Sequence, residues 1–80
     1  MKARKRYLLR DKQQNKVATV ITFFDTVLNC EVGFISTFDH AAHTSCIYED
    51  HLDADIIADL ASQIHITYHD YIEIPIKNHS

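Results

Sequence analysis

The chain is expected to fold as an α+β domain: a small antiparallel sheet of about four to five strands with one amphipathic helix, at about residues 50–64, packed on one face. Three observations carry that expectation. β-Branched and aromatic residues crowd two early segments, an apolar stripe with a period near four follows later, and a two-residue alternation closes the chain. All 80 residues read as a single domain, with residues 1–16 a basic segment that supplies the first strand and turn.

The first strand is placed at Arg6–Arg10, and the polar run Asp11–Asn15 reads as a turn. Val17–Phe24 follows, dense in Val, Ile, Thr and Phe, the residues that suit a pleated surface. Val17, Val20, Ile21, Phe24 and Leu28 also fit a helical stripe. Strand is preferred, because so many β-branched side chains lose rotamer freedom in a helix. Asp25–Asn29 is the next turn, and Cys30–Thr37 the next strand. There Cys30, Val32 and Phe34 alternate with Glu31 and Gly33, so the first set is expected to face the core. Gly33 within a strand marks a bulge or a close backbone approach.

Phe38–Ser45 reads as a loop and Cys46–Tyr48 as a short returning strand. The helix is read from Leu52, Ile56, Leu60 and Ile64, widened by Ile57 and Ala61. Asp50 is the expected cap, and acids at the helix start complement its dipole. In Ile66–Lys77, Ile66, Tyr68, Ile72, Ile74 and Ile76 share one parity. Asp70 breaks that apolar set, so an irregularity is expected near His69 and Asp70. Pro75 points to a sheet edge.

Charge is distributed unevenly along the chain. The formal net charge is −3, yet seven of the eight lysines and arginines lie between Lys2 and Lys16, where Asp11 is the only acid. From Val17 onward Lys77 stands alone against ten acids. A uniformly basic nucleic-acid binder is therefore excluded. A single glycine rules out the glycine-rich phosphate loops of nucleotide-binding proteins. No apolar run reaches the roughly 18 residues of a membrane span, and the basic start lacks the apolar core of an export signal. Two cysteines are too few for a disulfide framework and suit reduced thiols in the cytoplasm.

Three constellations bear on function. Lys2, Arg4, Lys5, Arg6, Arg10, Lys12 and Lys16, with Tyr7 among them, could contact a partner or follow a phosphate backbone while the ring stacks on a base. Glu49, Asp50, Asp53, Asp55 and Asp59 form an acidic helix surface, too sparse to imitate a duplex of one charge per about 1.7 Å. His40, His43 and Cys46 form H-x2-H-x2-C, a cluster of metal-type donors without a second pair at a recognisable spacing. A cysteine nucleophile at Cys46 or Cys30 with His40 or His43 is disfavoured, because Glu49, Asp50 and Asp53 surround Cys46 with negative charge.

The leading expectation is thus a non-enzymatic, cytoplasmic binding protein: a regulator or inhibitor that contacts another protein, with a homodimer as one form of that contact. A nucleic-acid-contacting accessory protein using the basic segment comes second. A small metal-binding domain using His40, His43 and Cys46 comes third. Neither a cofactor nor a membrane partner is expected.

Overall fold

The computed structural model describes residues 3–76. Five strands and one helix follow in the order β1 (Ala3–Arg10), β2 (Lys16–Asp25), β3 (Cys30–Thr37), β4 (His43–Tyr48), α1 (Asp53–Gln63) and β5 (Asp70–Ile74). The strands form one open antiparallel sheet in the spatial order β4-β3-β2-β1-β5. The first four strands meander through consecutive hairpins. Helix α1 then carries the chain from the β4 edge back over the sheet, so that β5 pairs with β1 at the far edge.

Each hairpin is closed by an aspartate rather than a glycine. The Asp11 carboxylate accepts the backbone N–H groups of Gln13 and Asn15, both at 2.9 Å, and Asp25 accepts those of Val27 and Leu28 at 2.9 and 3.0 Å. Asp39 accepts the Thr37 hydroxyl at 2.6 Å and the Ala41 N–H at 3.0 Å, and the Thr37 bond holds its carboxyl below the usual carboxylate range. The left-handed position of the three turns falls on Gln14, Asn29 and His40, all with φ near 60°.

The chain's one glycine serves a different purpose. A Cβ at Gly33 would lie 2.9 Å from Ile56 Cγ2, 3.0 Å from Tyr48 Cε2 and 3.1 Å from Leu60 Cδ1. Only a bare backbone lets the helix settle this closely on β3. The close approach is as expected, and pairing with β2 runs through Gly33 without a bulge. Bulges lie elsewhere, where β1 and β2 shift register around Arg4 and Val17.

The core forms between α1 and the face of the sheet that it covers. Tyr7 and Leu9 of β1, Ala18 and Val20 of β2 and Ile35 of β3 meet Ile56, Ile57, Leu60 and Ala61, with Tyr48 closing the β4 side. At about 25 cal/mol per Å² of apolar surface, this contact is the main source of stability. Thr22 is the one buried polar side chain of the sheet among the described residues, and its hydroxyl has no partner.

Five expectations need correction. The helix begins at Asp53 with Leu52 as its cap residue, 74 % exposed and without a side-chain hydrogen bond. Asp50 does not cap it, because that residue turns through φ 52° two positions earlier. The strand before the helix starts at His43, which moves His43 to Ser45 from loop to strand. Residues 66–69 are not a strand: the helix ends in a Schellman turn, with His65 N–H to Ser62 O at 3.2 Å and Ile66 N–H to Ala61 O at 3.1 Å. Ile66 and Tyr68 then pack against the core without ladder bonds, so their alternation reflects packing alone. The fifth correction concerns the faces of the sheet. Gly33 and Ile35 turn toward the helix, while Cys30, Val32 and Phe34, expected to be the core set, turn away from it.

Candidate interaction surface

The sheet has a covered and an uncovered face, and the polar residues singled out from the sequence divide between them. On the covered side, two tyrosine–aspartate contacts strap α1 to the sheet. The Tyr7 hydroxyl donates to Asp53 Oδ2 at 2.5 Å, and Lys5 Nζ lies 3.0 Å from the same oxygen. The Tyr48 hydroxyl donates to Asp59 Oδ2 at 2.6 Å, and Gln63 Nε2 joins that oxygen at 3.0 Å. Burial, followed by the neighbouring carboxylate, pushes both phenols well above their ordinary pKa. Burial also pushes the Asp53 carboxyl up, but the Tyr7 and Lys5 contacts outweigh it and leave the group below the usual range.

The acidic helix surface is therefore only partly available. Asp53 and Asp59 bind the helix to the sheet, while Glu49, Asp50 and Asp55 face solvent. The basic segment is similarly divided. Arg4 Nη2 lies 2.9 Å from Glu31 Oε1, an ion pair too poorly aligned to be a hydrogen bond. Lys5 pairs with Asp53, and Arg10 grips Asp70 through two parallel bonds of 3.0 and 2.8 Å. Those bonds hold the Asp70 carboxyl below the usual range. They also explain an acid on the apolar parity of β5, since Asp70 faces Arg10 across the ladder. Lys16 Nζ sits 5.8 Å from the centre of the Phe38 ring. Arg6 and Lys12 make no ion pair among the described residues. Lys2 lies outside the described residues.

His40, His43 and Cys46 are not brought together. His40 occupies the left-handed position of the β3–β4 turn. His43 and Cys46 stand three residues apart on β4, hence on opposite faces about 10 Å apart. His43 packs against Phe34, with ring centroids 6.1 Å apart, while Gln63 Nε2 lies 3.5 Å from Cys46 Sγ. No group of three or more His, Cys, Asp or Glu side chains suited to a metal ion occurs among the described residues. A cleft of about 530 Å³ beside the helix start holds the Arg4–Glu31 pair and has an acidic rim at Glu49 and Asp50.

The uncovered face is apolar to a degree that the sequence alone did not reveal. Reading across the strands from β5 to β4, one row is Ile72, Leu8, Thr19, Ser36 and His43. The next is Ile74, Arg6, Ile21, Phe34 and Ser45. Beyond Arg6 the face continues through Phe23, Val32 and Ile47. Among the described residues no element packs over this face: Ile47 is 54 % exposed and Ile72 41 % exposed. Leu8 and Val32 are buried yet stand outside the core cluster. The available signal was parity, because Leu8, Ile21, Phe34 and Ile72 all oppose the set that meets the helix.

Such a surface offers shape and apolar area. It measures roughly 24 Å across five strands spaced about 4.8 Å apart, and about 26 Å along strands of eight residues. Among the described residues, no helix is long and apolar enough to cross a membrane. Comparison with known protein families, curated proteins and solved structures gives no match for the chain.

Proposed function

We propose that this is a small non-enzymatic binding protein, a regulator or inhibitor that acts by contacting another protein through the uncovered face of its sheet. The observation that carries the reading is that face itself, which presents Ile21, Phe34, Ile47, Ile72 and Ile74 with no element among the described residues packed over them. A contiguous apolar surface larger than a few hundred Å² is uncommon on a protein that works alone. A cytoplasmic setting belongs to the same proposal, since Cys30 and Cys46 are free thiols on opposite faces of the sheet.

The test is affinity capture from the native host with nuclease treatment, comparing the wild-type chain with Ile47→Asp and Ile72→Asp. Capture lost in both variants while circular dichroism stays native supports the reading. Equal capture by all three chains would refute it.

Contact with nucleic acid is the second reading, favoured by one specific feature: Arg6, without an ion pair among the described residues, shares the open face with Phe34 and Phe23. Aromatic rings with a nearby cation are the elements of a single-strand platform. It ranks lower because three of the other cations are already held by carboxylates of the same chain. Salt-dependent retention of a single-stranded oligonucleotide, lost in Arg6→Ala, is the outcome it requires.

A further inference from the structure

We infer that the partner covering the uncovered face is a second copy of this chain, packed face to face about a twofold axis that runs along β2. The inference rests on the protein-contact reading above and names its partner. Three features of the face point to a copy of itself.

The first is size. The face projects to roughly 600 Å², or about 1,200 Å² for two copies, which reaches the lower bound of a stable interface before side-chain relief is counted. The second is symmetry. β2 is the third of five strands, so a twofold axis along it lays the whole of one face over the whole of the other. An isologous contact requires each patch to be complementary to itself. The axis sets Ile21 against Ile21 of the partner subunit and Phe23 against Phe23 of the partner subunit, apolar on apolar at the centre. Toward the rim it sets Ile72 against His43 of the partner subunit and Ile74 against Ser45 of the partner subunit.

The third feature is the placement of Arg6. It lies on β1, one strand to one side of the axis, and Phe34 lies on β3, one strand to the other side, in the same row as Ile21. The twofold therefore brings each Arg6 guanidinium over Phe34 of the partner subunit, twice per dimer. A ring face is a suitable partner for a cation. Arg10 and Asp70, on the same face, are matched within the chain, while Lys16 and Asp25 sit at the two ends of β2, at the rim of the contact. In the resulting sandwich both helices lie outside, so Glu49, Asp50 and Asp55 of each copy stay in solvent.

Sedimentation equilibrium over a wide concentration range tests this, with circular dichroism to confirm folding. The wild-type chain is expected at twice its 9.3 kDa mass. Ile21→Lys places two like charges at the axis and Ile72→Asp a charge near the rim; both are expected to be folded monomers. Arg6→Ala is expected to raise the dimer dissociation constant about tenfold. Val27→Asp, at a turn position 91 % exposed, is expected to leave the dimer intact.

A wild-type chain that stays monomeric at millimolar concentration overturns the inference, as does a dimer that survives both Ile21→Lys and Ile72→Asp. A monomer that captures a different protein, with capture lost in Ile72→Asp, overturns the second copy but leaves the protein-contact reading standing. A monomer that binds a single-stranded oligonucleotide through Arg6 and Phe34 overturns both.

Discussion

The two faces of the sheet are built from the same kinds of residue and have different fates. The covered face presents Leu9, Val20, Gly33 and Ile35; the other presents Leu8, Ile21, Phe34 and Ile72. Hydrophobicity does not distinguish them. The covered face has a gap in its relief at Gly33 and two tyrosines that reach past the core to carboxylates on the helix. The uncovered face has Phe34 on the same strand and an arginine in the same row as Ile21. A helix can lie on the first and would be held off by the second. Side-chain relief and polar anchor points thus determine which apolar surface becomes core.

The largest test of this contrast truncates matched residues on the two faces. Leu60→Ala and Ile57→Ala, both wholly buried against the covered face, should each cost about 2–5 kcal/mol in denaturant unfolding. Ile47→Ala and Ile72→Ala, on the uncovered face, should cost less than about 1 kcal/mol at concentrations low enough to keep the chain monomeric. Equal losses on both faces would show that the uncovered face is packed within the monomer. Gly33→Ala comes next. A methyl placed 2.9 Å from Ile56 Cγ2 must lift the helix, and about 1–3 kcal/mol should be lost.

Effects of similar size and below test the polar straps and turns. Tyr7→Phe removes a hydrogen bond to a charged acceptor and should cost about 1.5–3 kcal/mol; Asp53→Asn should weaken the same strap. The Asp53 carboxyl has a folded pKa below its unfolded value, so its contribution is complete above the unfolded value, near 4, and disappears as pH falls through the folded one. Thermal unfolding should therefore be insensitive to this group near neutrality and fall below about pH 4, with a shallower fall in Asp53→Asn. An unchanged acid limb in that variant would remove Asp53 from the account. Thr22→Val keeps the shape and deletes a buried hydroxyl without a partner, so a gain of about 1 kcal/mol is expected. His40→Gly relieves a left-handed residue at a turn and should add about 0.5 kcal/mol, measured by melting temperature.

Much of the fold can be read from local chemistry. Cys30–Thr37 is a strand with the same bounds in sequence and structure, because a continuous β-rich run sits between two polar turns. The helix is displaced by only a few residues at its start, where Leu52 continues the apolar stripe but leaves the core. Residues 66–69 mislead because apolar alternation is produced by any segment that packs one side on a core, with or without a sheet partner. The candidate site is harder to read. Arg4, Lys5 and Arg10 stand out as a basic cluster in the sequence, but their acids lie 27, 48 and 60 residues away. No local pattern announces such pairs.

The sequence by itself determined the elements and the separation of residues into two sets along each strand, because side-chain period and turn chemistry act over a few residues. It also determined that the N-terminal segment would be basic and the remainder acidic. The tertiary structure alone decided which set the helix covers, which charges are neutralised, and that an apolar face of five strands is left open. Those outcomes depend on how relief, hydroxyls and charges meet across the fold once α1 crosses from the β4 edge to the β5 edge.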